Sequence, residues 1–142
     1  GDKYGMGSSL NNIGIVHSDK GDYDTALDYY ERSLKIFEEI GDKFGEGSTV
    51  LNIGLLYHTK GDYEKELSYY ERALELYKEF DSKKYVGDIF LSYGFSYFKK
   101  GDYNMALDYY TRALKIYEEL DNKNAIPNLF ANIGLIYFQQ EN

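Results

Sequence analysis

Four residues recur at a fixed interval of 40: Lys20-Gly21-Asp22-Tyr23, Lys60-Gly61-Asp62-Tyr63 and Lys100-Gly101-Asp102-Tyr103. A strict period of this length makes the chain one supersecondary unit, repeated, with a core built in slices that each pack on their neighbours. The tetrapeptide also says what the unit is. Glycine accepts the left-handed conformation that closes a helix, and an aspartate directly after it can cap the start of the next. Each copy lies between two amphipathic stretches, so each is a helix-turn-helix joint.

In the first stretch, from about Tyr4 to Ser18, Leu10, Ile13, Gly14 and His17 fall at helical spacing and are expected in the core. From Asp22 to about Ile40, a second stripe is made by Ala26, Tyr30, Ser33, Leu34 and Phe37, with Asp24, Asp28, Glu31, Lys35 and Glu38 mostly on other faces. The same spacing predicts helices at about 44–59, 62–80, 84–99 and 102–120, then an unpaired one at about 125–139. Pro127 falls in the first turn of that last helix, where its missing N–H is tolerated. The expected fold is all-α: three antiparallel helix pairs plus one terminal helix in a single array over residues 1–142, with repeats at about 4–40, 44–80 and 84–120 and a half repeat at 124–142. The opening Gly1-Asp2-Lys3-Tyr4-Gly5 matches the later joint Gly41-Asp42-Lys43-Phe44-Gly45, so the array is expected to be a piece of a longer protein.

Within the pairs, small residues align: Gly14, Gly54, Gly94 and Gly134 in the first helices, Ala26, Ala106, Ser33, Ala73 and Ala113 in the second. Large ones flank them, namely Leu10, Val50, Phe90 and Phe130 before the glycines, His17, Tyr57, Tyr97 and Tyr137 after them, and Tyr30, Tyr70 and Tyr110 opposite. This succession of glycine, aromatic, Gly-Asp-Tyr, alanine and aromatic resembles the tetratricopeptide repeat across nearly the whole chain. The resemblance implies a right-handed α-solenoid. The period of 40 against that family's usual 34 resembles its long-repeat variant, found in polarity adaptors and bacterial peptide-sensing regulators. Glu66 departs from the pattern, standing where the family has a small alanine; a buried unpaired carboxylate is costly, so either the helices spread locally or its side chain reaches outward, and the outward reach is expected.

Composition narrows the function. A formal charge of −8 gives no electrostatic support for binding nucleic acid or an anionic membrane surface. No apolar run approaches a bilayer span and no signal-like segment opens the chain, so a soluble, cytoplasmic rather than secreted, protein is expected. There is no cysteine, and the histidines are only His17 and His58, too few for a zinc site. His17 replaces a core tyrosine and is expected to be a packed structural imidazole. Gly5-Met6-Gly7 and Gly45-Glu46-Gly47 follow no strand and precede no Lys-Ser or Lys-Thr, so they begin helices rather than cradle phosphate. No catalytic constellation, cofactor or metal is expected.

Each first helix carries a second stripe beside its core stripe, and in a stack of pairs it would line the concave wall. Its polar column is Asn12, Asn52, Ser92 and Asn132, able to give and accept hydrogen bonds along a peptide backbone or to satisfy neighbouring helices. Its apolar column is Ile15, Leu55, Phe95 and Leu135, with Phe98 and Phe138 one turn further; His58 and Lys99 complete the candidate groove. Family members that grip a terminal carboxylate use lysine, arginine and asparagine at set groove positions. Only Asn52 matches; Asn11, Asp88 and Ser92 stand where cations would be needed, which argues against such a clamp.

The reading is a non-catalytic protein-protein interaction module that binds an extended or helical peptide in its concave groove. Two alternatives are a homotypic scaffold assembling through terminal repeats and a regulatory arm of a larger enzyme or regulator. Leu129, Phe130, Ile133, Ile136 and Tyr137 of the last helix are expected to be partly exposed, which would allow homo-oligomers.

Overall fold

The computed structural model describes residues 1–141, and among these there are seven helices and no strand. They are α1 (Lys3–Asp19), α2 (Tyr23–Ile40), α3 (Lys43–Lys60), α4 (Tyr63–Glu79), α5 (Lys83–Lys99), α6 (Tyr103–Glu119) and α7 (Ala125–Glu141). The chain divides into two compact units, Gly1–Glu79 holding α1 to α4 and Phe80–Asn142 holding α5 to α7.

The joints form as their chemistry requires. Gly21, Gly61 and Gly101 sit at φ of 79°, 75° and 80°, the left-handed region where a side chain would be strained. Asp62 and Asp102 then cap the next helix, accepting from the backbone N–H of Lys65 at 3.3 Å and Met105 at 3.2 Å. Between repeats the left-handed position is glycine only at Gly41; Asp81 and Asp121 hold φ of 50° there.

Glycines set the closeness and direction of each pair. A Cβ built on Gly14 would lie 2.6 Å from the Tyr30 ring, and one on Gly7 3.1 Å from Phe37. The early residue of α1 therefore meets the late residue of α2, so the helices are antiparallel. The pattern repeats with Gly47 against Tyr77 and Gly54 against Tyr70, then with Gly87 against Tyr117 and Gly94 against Tyr110. The Gly7, Gly47 and Gly87 column is thus packing, as the helix-start reading of two of these segments required. Ser33 locks the first pair by donating to the Gly7 carbonyl at 2.7 Å, fully buried.

Two core expectations are corrected. Ile13 is 39% exposed, while its equivalent Ile53 is fully buried with Ala26 and Tyr30 of α2. The α2 side chains that cover Ile53 have no counterpart over Ile13 among the described residues. In α7, Leu129 and Ile136 are buried against α6, so Ile136 is core rather than open surface, whereas Phe130 and Tyr137 are 55% and 53% exposed.

Candidate functional site

In unit 1 the candidate face is the side of α1 and α3 turned away from their partner helices. Asn12 and Leu55 are exposed on it, Leu55 to 45%. Asn52 is half-buried and its amide donates to the Asn11 side chain at 3.1 Å, tying α3 to α1. One further donor and the carbonyl of Asn52 are left by that bond. Ile15, in the apolar column, packs against the cluster of Ala26, Tyr30, Ile53 and Leu56 and is half-buried there.

His58 is committed elsewhere. Glu66 is fully buried on α4, contrary to the outward reach expected of it, and its Oε1 lies 2.8 Å from His58 Nδ1. The imidazole meets the carboxylate that stands where the other repeats have Ala26 and Ala106. His58 therefore belongs to the α3/α4 interior more than to the groove.

In unit 2, Phe95 is 41% exposed with the Lys99 ammonium 5.3 Å from its ring centre, a cation over an aromatic face. Ser92 donates to the Asp88 carbonyl one turn back at 3.0 Å, within its own helix. Asp88 accepts a hydrogen bond from the Tyr117 hydroxyl on α6. Phe98 is half-buried, its ring 5.6 Å from that of Tyr103, so it packs within the α5/α6 pair. On α7, Asn132 is half-buried while Leu135 and Phe138 are exposed.

Two features lie outside the columns singled out from the sequence. The residue before each core tyrosine stacks on the first helix: Tyr29 on His17 at 5.5 Å, Tyr69 on Tyr57 at 5.6 Å and Tyr109 on Tyr97 at 5.6 Å. His17 is thus the packed imidazole expected, with Asp22 at 3.2 Å. The doubled tyrosine at a period of 40 was the signal for this column. The second feature is an ionic cluster in which Arg72 donates to Glu38 at 2.6 Å and to Glu46 at 2.7 Å, with Lys43 on Glu46 at 2.9 Å. Burial disfavours the charged Glu46, yet the hydrogen bonds from Arg72 and Lys43 outweigh it and hold the carboxyl below its ordinary range. These charges come from α2, α3 and α4, so no local pattern announces them.

Among the described residues no group of three histidine, cysteine or acidic side chains is placed to hold a metal. Two open recesses, of about 420 and 300 Å³, lie at the joints, lined by Lys100 to Asn104 with Gln140 and by Gly21 to Asp24 with Lys60. No helix is long and apolar enough to cross a membrane among the described residues.

A chain of helix pairs with a glycine hollow, an opposed tyrosine and a Gly-Asp joint is the architecture of a helical repeat. The family model described as Tetratricopeptide repeat matches residues 5–79 and 85–142, and the chain belongs to that family. No curated protein matches the sequence. Among solved structures, the chain is similar to aspartyl phosphate phosphatase F from Bacillus subtilis, with a TM-score of 0.94 at 15% identity over 99% of this chain and 37% of that one. It is also similar to BtubC from P. vanneervenii, with a TM-score of 0.85 at 23% identity, 96% of this chain and 57% of that one. A third is a signal transduction ATPase with numerous domains from Pyrococcus horikoshii that carries a tetratricopeptide repeat sensor, with a TM-score of 0.87 at 26% identity, 96% of this chain and 21% of that one. The chain therefore spans less than two thirds of the length of each of these proteins. The fold is that of a protein-protein interaction module.

Proposed function

We propose that the chain is a non-catalytic module that holds an extended or helical peptide segment of another protein against the outward face of its first helices. The observation that carries this reading is a repeated pairing on that face. An apolar side chain stays exposed with a polar group about one turn away on the same helix, Leu55 after Asn52 in unit 1, with Asn12 exposed on α1, and Phe95 before Lys99 in unit 2. Exposed apolar groups next to unsaturated amides suit a peptide, whose backbone takes the hydrogen bonds while one side chain is desolvated. The likeness to a protein whose repeat is described as a sensor supports a recognition role. Under this reading Asn12, Asn52, Leu55, Phe95 and Lys99 make contacts, whereas His58, Ile15 and Phe98 shape the wall from within.

The test is a selection of displayed random peptides on the intact chain, followed by titration of the selected peptides against Leu55→Asp and Phe95→Asp. Loss of about tenfold or more in affinity in either variant, with helix content by circular dichroism unchanged, supports the reading. Failure to select any peptide, or binding by both variants equal to that of the unmodified chain, overturns it.

A further inference from the structure

Two charged residues stand on the outward stripe of α5, Asp88 near its start and Lys99 at its end. Their circumstances differ. Asp88 is half-buried and accepts from the Tyr117 hydroxyl, which holds its carboxylate against α6. Lys99 is exposed, with no carboxylate at ion-pair distance among the described residues, and its ammonium lies 5.3 Å from the Phe95 ring centre. Its neighbour Lys100 turns to a different ring, that of Tyr97, at 5.5 Å. Asp88 is about three turns back along the helix, roughly 16 Å at 1.5 Å per residue, and the screening length at physiological salt is only about 8 Å. The field beside Phe95 is therefore that of the Lys99 cation.

Resting on the peptide-holding role above, we propose that Lys99 sets specificity: unit 2 takes an internal peptide segment in which an acidic side chain lies beside the apolar one that covers Phe95. An apolar group laid on the 41% exposed Phe95 ring also removes water from the ammonium next to it. A desolvated cation is costly unless a counter-charge replaces the lost water, which a carboxylate does, an amide does in part, and a second cation does not. The selection is local to this unit. At the register of Lys99, α1 carries Asp19 and α3 carries Thr59, so an acidic side chain has no cation to meet there. The general charge of the chain does not cancel the effect, because unit 2 holds seven lysines and arginines against eight aspartates and glutamates, while unit 1 holds nine against sixteen. Nearly all of the repulsion felt by an acidic peptide thus originates in unit 1.

The experiment takes peptides selected from a displayed random library on the full chain, remade with both termini blocked and with each position flanking the apolar residue set in turn to glutamate, glutamine and lysine. Blocked termini leave side-chain charge as the only carboxylate in play. Affinities are read by fluorescence anisotropy, at low and high salt, for the unmodified chain, Lys99→Gln and Lys99→Glu. At one flanking position the unmodified chain is expected to favour glutamate over lysine about fivefold, Lys99→Gln to remove most of that preference and Lys99→Glu to invert it, with helix content unchanged. The preference should shrink as salt rises. Peptides that lose affinity in Leu55→Asp or Phe95→Asp yet show the same flanking preference in all three chains overturn the role of Lys99 and leave the peptide-holding role standing. Failure to select any peptide overturns both.

Discussion

Within unit 2, α5 and α7 carry the same residues at the same register: Phe90, Gly94 and Tyr97 in one, Phe130, Gly134 and Tyr137 in the other. Their fates differ. On α5 the rings are half-buried, with Phe90 5.9 Å and Tyr97 5.6 Å from Tyr109, and Gly94 is buried under Tyr110. On α7 all three are exposed. What separates them is α6, whose two adjacent tyrosines fill the hollow and stack on its rim. Burial in a repeat is a property of the facing helix, and the sequence of the first helix supplies only the socket.

The largest test of that principle lies where the facing residue is a carboxyl side chain, Glu66. His58→Ala removes the imidazole that faces the buried Glu66 carboxylate and is expected to destabilise unit 1 by about 3 kcal/mol in urea unfolding. Glu66→Ala, which restores the small residue found at Ala26 and Ala106, should cost a small fraction of that. Equal losses would mean that the pair does not act through burial of the carboxylate.

Alkaline pH probes the filling tyrosines directly. Burial pushes the Tyr110 hydroxyl up to about 12 from an ordinary 10.0, and burial, followed by the bond to Asp88, raises Tyr117 as well. Below pH 10 both folded and unfolded chains keep these protons and stability is undiminished. Above it the unfolded chain ionises first, so stability falls as pH rises towards 12, with Tyr110 alone contributing a loss on the order of 2–3 kcal/mol. Urea midpoints measured across that range, compared with Tyr110→Phe, check the sign: the variant should lose less.

The glycine pair itself should give a smaller and opposite-signed contrast. Gly94→Ala is expected to cost about 2 kcal/mol, because its methyl would sit 2.4 Å from the Tyr110 ring. Gly134→Ala is expected to gain up to about 1 kcal/mol from helix propensity. Thermal melts would settle it, and a loss at Gly134 would break the comparison. Smallest of all, Asp121→Gly, at a φ of 50° beside the start of α7, should stabilise unit 2 by about 0.5 kcal/mol relief of left-handed strain, whereas Gly101→Ala, at φ of 80°, should destabilise it.

Much of this was legible because it is local or periodic. The joints at Gly21, Gly61 and Gly101, the helix positions and the small-residue columns follow from residue types that tolerate few conformations, repeated three times. The site was less legible. Asn52 and Ser92 looked equivalent in the polar column, but one reaches across to Asn11 and the other turns back to its own helix. An asparagine amide extends far enough to bridge two helices, while a serine hydroxyl finds the carbonyl one turn behind it within reach.

By itself the sequence determined the helices, their joints and their antiparallel pairing, since a left-handed glycine, a capping aspartate and a glycine facing a tyrosine each admit essentially one local arrangement. Tertiary structure alone decided which apolar side chains remain exposed and which charges are shared. Ile13 and Ile53 are the same residue in the same frame, yet only Ile53 lies beneath α2. Arg72 joins Glu38 and Glu46 from two other helices, and Glu66 is held inside by a histidine from the helix before it. Those outcomes depend on which helix arrives at a given face, and a residue's own neighbours in sequence carry no record of that.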